Sequence, residues 1–229
     1  MYDISIIIPV YNEELVISGA IEKIGGYFSA LDARFELVVV DDGSTDDTVE
    51  IVKKKANQFP AVRLIENKIN YGKGFSVRRG VLESRGDWML FLDADLSTQP
   101  EEFEKFRPFM NDCDIIIGSR TLSESRIILR QPLWRVFGGK FFNLLTCLYL
   151  GLPFRDTQCG FKCFHNKTKS LFEKQTIFGW VFDVEILYLA QKAGFRIKEV
   201  PVIWKHHQRS RVKARHIVKT LADLIKIKN

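Results

Sequence analysis

Four short runs of Ile, Val, Leu and Phe punctuate the first 95 residues, and each stops on a cluster of polar residues. Residues 3–10 run into Tyr11-Asn12-Glu13-Glu14 after Pro9 and Val10, and residues 35–40 run into Asp41-Asp42-Gly43-Ser44. Residues 62–66 lead to the turn Asn70-Tyr71-Gly72-Lys73-Gly74, and residues 88–92 end on Asp93-Ala94-Asp95. Runs this short, apolar and rich in β-branched residues, bounded by turn formers, predict strands buried on both faces. Between them the pattern predicts helices over about 14–30, through Val49, Ile51 and Val52, and over about 75–84. Ser44 or Thr45 is placed to cap the second of these, with Asp46, Asp47 and Glu50 near its positive end. Strands that each feed a helix imply an α/β fold with a mainly parallel central sheet flanked by helices.

Ile115-Ile116-Ile117 predicts a further strand that delivers Gly118-Ser119-Arg120 to the same rim. Beyond it the pattern changes. Residues 127–150 interleave apolar stretches with Arg130, Arg135 and Lys140 and contain Pro132, which predicts one or two basic amphipathic helices. These fall short of the ~20 consecutive apolar residues that a membrane span requires. A helix is expected over 178–193, a strand over 197–204 despite Pro201, and a charged segment over 205–229 ending in a helix. In an open parallel sheet, ligands bind beyond the carboxyl ends of the strands, so Tyr11, Asp41, Asp42, Asp93, Asp95 and Arg120 are expected to share one crevice.

With 229 residues and 46% apolar composition the chain can bury one large core, and one domain is expected over 1–229. The net charge of +6 conceals an asymmetry: residues 1–120 hold 14 Lys/Arg against 21 Asp/Glu, and residues 121–229 hold 20 against 7. An acidic first half suits a divalent cation, and a basic second half suits phosphates, nucleic acid or an anionic membrane. Cys113, Cys147, Cys159 and Cys163 are too irregularly spaced for a disulfide framework or a zinc site, and read as packing residues. With no charged-then-apolar leader pattern at the first residues, a reducing, cytoplasmic setting is expected.

Asp93 and Asp95 can aim two carboxylates at one cation, and oxygen ligands of this kind suit Mg2+ or Mn2+, which keep further positions for water and a substrate phosphate. Either Asp41 or Asp42 can accept a hydrogen bond from a base or ribose while the other caps the helix, with Tyr11 on the other side of the base pocket. The chain lacks both Gly-x-Gly-x-x-Gly and Gly-x-x-x-x-Gly-Lys-Ser, and Gly72-Lys73-Gly74 is too short for either. The compact segments 156–162 and 180–185 combine acids with aromatics; Asp183, amid Trp180, Phe182 and Val184, is a candidate base or sugar-hydroxyl acceptor. Residues 205–213 hold four Lys/Arg, suited to a nucleotide diphosphate or a membrane-borne phosphate. Nucleic acid is not expected, because the aromatics lie inside apolar runs and not among the basic residues.

Taken in order, Pro9-Val10-Tyr11-Asn12-Glu13, Val40 to Asp46, Asn70 to Gly74, Asp93-Ala94-Asp95, Gly118-Ser119-Arg120, Asp156 to Lys162 and Phe182 to Glu185 resemble the inverting family-2 glycosyltransferases that make polyprenyl- and dolichyl-phosphate sugars. The likeness covers about 1–215 and is closer to the glucosyl than to the mannosyl branch. It implies the nucleotide-diphospho-sugar transferase (GT-A) fold, a UDP-sugar donor, most readily UDP-glucose, with GDP-mannose as the rival, and a polyprenyl or dolichyl phosphate acceptor. On this resemblance Pro9, Tyr11, Glu13, Asp41, Asp42, Lys73 and Ala94 belong to the donor site. Asp93 and Asp95 bind Mg2+ or Mn2+. Ser97 stands where the mannosyl branch carries Gln, so water or its own hydroxyl completes that position. Arg120 and Arg135 would clamp the acceptor phosphate, Arg211 with Lys213 would meet the donor diphosphate, and Asp156, Gln158 and Asp183 would contact the sugar. The expected setting is peripheral contact of 127–150 with an anionic, cytoplasmic membrane face. The alternative for that segment is sheet cover or a contact between copies in a homo-oligomer.

Overall fold

The computed structural model describes residues 2–31, 33–129, 133–206 and 215–228. The predicted strands are present as β1 (Tyr2–Val10), β2 (Phe35–Asp41), β3 (Val62–Glu66), β4 (Gly86–Leu92) and β5 (Ile115–Ser119). Helices α1 (Ile17–Ser29), α2 (Thr48–Gln58) and α3 (Lys73–Glu83) connect the first four. Burial explains the runs: Ile6, Ile8 and Val39 face one core, and Ile7, Val38 and Val40 the other. A strand covered on both faces cannot alternate apolar with polar. α1 covers the first face, and α3 covers the second.

The second half of the chain departs from the expected pattern in four places. Residues 126–129 are not helical; they form β6 (Arg126–Leu129), with α4 (Leu133–Leu150) following. The extended stretch is held by parallel pairing with β9 (Ile203–Lys205), a partner far along the chain. An unpredicted strand, β7 (Phe161–His165), runs antiparallel between β4 and β5. Its Lys162 is 1% exposed, so a residue that reads as a surface charge lies in the interior. The expected strand over 197–204 is two strands, β8 (Ile197–Pro201) and β9, broken at Val202, whose N–H donates to Ser119 O.

The central sheet has the order β3-β2-β1-β4-β7-β5-β8, with every neighbouring pair parallel except those of β7. Because β7 sits between β4 and β5, the acidic and basic halves of the sequence interlock in one sheet. Helices α5 (Lys169–Glu173) and α6 (Phe182–Lys192) cover the same face as α3. α6 begins four residues later than the apolar pattern predicts. The carboxylate of Glu185 reaches back to Thr176 N and Ile177 N and holds the preceding segment as a loop. A third core joins Leu150 and Leu152 beside α4 to Val181, Val184 and Tyr188 around α6 and to Leu224 and Ile227 of α7 (Arg215–Lys228). Among the described residues, no helix is long and apolar enough to cross a membrane.

Candidate active site

The polar ends of β1, β2, β4 and β5 meet on one rim, as the strand order requires. At its first corner two loops are zipped together. Ser44 Oγ accepts from Asn12 N at 2.7 Å, Asn12 Oδ1 accepts from Thr45 N at 2.7 Å, and Thr48 Oγ1 accepts from Glu13 N at 2.7 Å. Ser44 and Thr45 therefore do not cap α2. The N-cap is Asp47, which makes no side-chain capping bond, and the residue before it, Asp46, accepts from Thr48 N and Oγ1 at the first helical residue. Pro9 lies in β1 opposite Val40, and Tyr11 stands at the mouth of this corner, 36% exposed.

Asp41 and Asp42 are both buried and do different things. Asp42 is filled by donors: Asn67 Nδ2 and Tyr71 N reach Oδ1 at 3.0 Å, and Gly72 N reaches Oδ2 at 2.8 Å. It anchors the 70–72 turn, where Gly72 adopts φ +108°, a left-handed conformation suited to glycine. Asp41 uses Oδ2 for Gly43 N and Ser44 N, while its buried Oδ1 has no hydrogen-bond partner among the described residues. A buried carboxylate oxygen left in this state calls for a donor from outside the chain.

The turn held by Asp42 delivers Lys73 to the end of β4. Its Nζ lies 2.6 Å from Asp93 Oδ1 and faces the Phe91 and Trp180 rings, 5.2 and 5.7 Å from their centroids. Burial alone would lower the Lys73 pKa, but Asp93, with Asp183 and Asp95 adding, holds it above its ordinary value. Asp95 Oδ1 accepts from Ser97 N at 2.9 Å, across Leu96 at φ +50°. Ser97 thus enters the site through its main chain, and its O accepts from Lys205 N of β9. Ala94 is buried between the two acids. Asp93 already carries a cationic partner, and the pair offers carboxylate oxygens without a third acid. Among the described residues no group of three or more His, Cys, Asp or Glu converges on a metal position. Two carboxylates fit Mg2+ or Mn2+, which retain waters and phosphate oxygens, better than an ion needing a full protein cage.

The β5 end of this rim is built on Arg120 and Asp156, which grip one another. Arg120 N and Nε donate to Asp156 Oδ2 at 2.9 and 2.7 Å, and Nη2 donates to Oδ1 at 2.8 Å. Burial would raise the Asp156 pKa, but Arg120 outweighs it and holds the carboxyl below its ordinary range. Glu199 accepts from the N–H groups of Arg155 and Asp156, and the Arg120 guanidinium lies 5.7 Å from the Trp204 ring centroid. Gln158 N reaches Asp156 Oδ1 at 3.3 Å. Near both Lys73 and Arg120, Asp183 Oδ2 meets Lys162 Nζ at 3.0 Å and its Oδ1 accepts from Val184 N. Asp183 is committed to joining β7 to α6.

The strand pattern brought Tyr11, Asp41, Asp42, Asp93, Asp95 and Arg120 to one rim and the resemblance added Lys73 and Asp156, but neither pointed to Lys162, Glu199, Asn67 and Trp204, which hold them. A lysine inside the run Phe161-Lys162-Cys163-Phe164 is the one signal that pointed to a buried partner. Arg135 falls in the first turn of α4, but its side chain lies outside the described part of the structure, and Arg211 and Lys213 lie outside the described residues.

Residues 5–172 match the model of Glycosyl transferase family 2. A dolichyl-phosphate beta-glucosyltransferase of Trichomonas vaginalis is 35% identical over 236 residues, covering 98% of this chain and 72% of that protein. The human dolichyl-phosphate beta-glucosyltransferase is 33% identical over 224 residues, covering 91% and 69%. A crystal structure of glucosyl-3-phosphoglycerate synthase from Mycobacterium tuberculosis, in complex with Mn2+, UDP and glucosyl-3-phosphoglycerate, superposes with a TM-score of 0.68 at 20% identity, covering 98% of this chain and 76% of that one. The fold is thus the GT-A type that the resemblance implied, and the chain belongs to glycosyl transferase family 2, as a homologue of the eukaryotic dolichyl-phosphate beta-glucosyltransferases.

Proposed function

We propose that this glycosyltransferase moves glucose from UDP-glucose to a polyprenyl or dolichyl phosphate with inversion, assisted by Mg2+ or Mn2+. The observation that carries the acceptor is the state of Asp183: both its oxygens are engaged inside the protein, by Lys162 and Val184. A hydroxyl acceptor needs a base to remove its proton. A phosphate monoester, with a second pKa near ~6, already carries a nucleophilic dianionic oxygen at neutral pH. Arg120, fixed by Asp156, is the group to orient that oxygen, with Arg135 in the adjoining α4.

The free Oδ1 of Asp41 is the acceptor offered to the uracil imide, with Tyr11 and the Asn12–Thr45 zipper walling the pocket. Asp93 and Asp95 would hold the divalent ion, whose chemistry when bound is to neutralise charge on the departing diphosphate. Lys73 lies beside them for the same phosphates, and Arg211 and Lys213 are assigned there by resemblance. The acceptor oxygen attacks the anomeric carbon as the bond to UDP breaks, so an α-linked donor yields a β-linked lipid-phosphate sugar. The work of the protein is alignment and charge neutralisation.

The reading includes a cytoplasmic membrane face. Ile127, Ile128 and Leu129 of β6 and Phe141, Leu144, Leu145 and Leu148 of α4 are all exposed. An apolar face of this kind, flanked by basic sequence, suits shallow contact with anionic lipid. Flotation with anionic liposomes at low and high salt tests this; a W134D/F137D variant that floats and acts on long-chain acceptor like the wild type removes it.

Calorimetric titration with UDP and GDP in the presence of Mn2+ tests the donor, and tighter GDP binding sinks the uridine assignment. D41N is expected to weaken UDP binding about tenfold, roughly the loss of one charge-assisted hydrogen bond. Steady-state kinetics of D183N test the acceptor class. A raised KM with modest loss of kcat supports a phosphate acceptor, and near-complete loss of kcat supports a hydroxyl.

A further inference from the structure

Helix α4 has two faces of opposite use. At 3.6 residues per turn, Phe141, Leu144, Leu145 and Leu148 share one stripe, all exposed. Asn143, Thr146, Cys147 and Leu150 share the opposite stripe, with Thr146 and Leu150 buried. An apolar stripe therefore faces outward while the inner side mixes the polar Asn143 and Thr146 with Cys147 and Leu150, unlike an ordinary surface helix whose outer face is polar.

The inner stripe is bonded to one loop. Asn143 Oδ1 accepts from Thr157 N at 3.1 Å and from Thr157 Oγ1 at 2.7 Å, and its Nδ2 donates to Arg155 O at 2.9 Å. One turn on, Cys147 Sγ donates to Phe154 O at 3.2 Å. Between Arg155 and Thr157 stands Asp156, the carboxylate that fixes the Arg120 guanidinium through both its oxygens. Asn143 is thus the polar link between an exposed apolar face and the arginine of the acceptor side.

We propose that Asn143 is a positioning residue that couples seating of α4 on a lipid surface to binding of the acceptor phosphate at Arg120. This rests on the phosphate-acceptor reading above. A lipid surface fits the exposed stripe because α4 contains Arg135 and Lys140 and no acidic residue. The apolar strand β6 also leads into the helix, and the proposed acceptor is itself a lipid. Coupling of two sites is reciprocal: a surface that orders α4 and, through Asn143, the 154–158 loop must strengthen phosphate binding by the same factor by which phosphate strengthens seating.

The test uses the full chain with UDP-glucose and Mn2+, and a short water-soluble prenyl monophosphate as acceptor, with and without mixed phosphatidylcholine–phosphatidylglycerol vesicles. In the wild type, vesicles should lower the KM for the acceptor by between about 5- and 150-fold, the usual range for coupled sites. N143A should lose that response while binding UDP as the wild type does. N143D keeps the oxygen used by both Thr157 bonds and should recover most of it. If the alanine variant melts early, N143S serves the same comparison. Amide exchange over residues 154–158 needs no turnover: vesicles should slow it in wild type and N143D but not in N143A. An N143A protein that answers vesicles as the wild type does overturns the inference, as does a wild type that binds vesicles with no change at 154–158. Absence of transfer to any prenyl phosphate, with the amide response intact, removes the acceptor assignment and leaves the coupling standing.

Discussion

Gly160 shows how little space is left beside Asp93. A Cβ built there would lie 2.0 Å from Asp93 Oδ2 and 2.6 Å from its Cγ, so no larger residue fits while Asp93 keeps its position. Because the obstacle is a side chain, G160A should fold and displace the carboxylate. Mn2+ affinity, followed by the resonance of the free ion, is expected to fall tenfold or more, about 1.4 kcal/mol, with little change in melting temperature. Asp114 illustrates a carboxylate used only for structure. Burial would raise its pKa, but ion pairs to Lys167 and Arg196 and the Arg196 N–H lower it from 3.8 to about 2. A depressed carboxyl contributes stability that is fully present above 3.8 and is lost as pH falls through about 2. With both cations partly in solvent, D114N should cost about 1–2 kcal/mol at neutral pH. Denaturant titrations should show the gap to wild type closing between pH 4 and 2. The buried thiols of Cys159 and Cys163 should resist a thiol reagent in the native state, since burial pushes the former up to about 11 and the latter higher still.

At the scale of elements, the turns matter more than the helices they join. The 70–74 turn has its Tyr71 and Gly72 N–H groups, with Asn67, all directed at Asp42. Removing that carboxylate strands buried donors, so D42A should destabilise by about 3 kcal/mol. Fast exchange of the Tyr71 and Gly72 amides should mark the site of damage. The same element explains which parts of the site were legible. Carboxylates at strand ends were readable because a buried run must stop where its first polar group reaches the rim. The division of labour between Asp41 and Asp42 was not, because it depends on Asn67 and the 70–72 backbone arriving from elsewhere in the chain. Likewise β6 read as helix because Ile127-Ile128-Leu129 has no alternation and its pairing partner lies at 203–205. β7 was hidden by Lys162, whose burial makes sense only once Asp183 is beside it.

For the whole molecule, the sheet order carries a consequence in time. The edge of β4, the strand that ends just before Asp93, is completed by β7, and β5 is flanked by β7 and β8, so the pairing of Leu92 with Phe161 beside the site spans 69 positions. During synthesis β1 to β4 can assemble as soon as they emerge, leaving the edge of β4 that pairs with β7 bare. At roughly 5–20 residues per second, the ribosome needs on the order of several seconds more before β7 can close it. An unpaired apolar edge over such an interval is a target for association with other chains. Expression halted after Arg120 should therefore give an aggregating fragment, measurable by sedimentation of stalled nascent chains, whereas chains extended past β8 should remain dispersed. The strands that deliver Asp41, Asp93 and Asp95 are thus made early, and the strand that closes their sheet is made late.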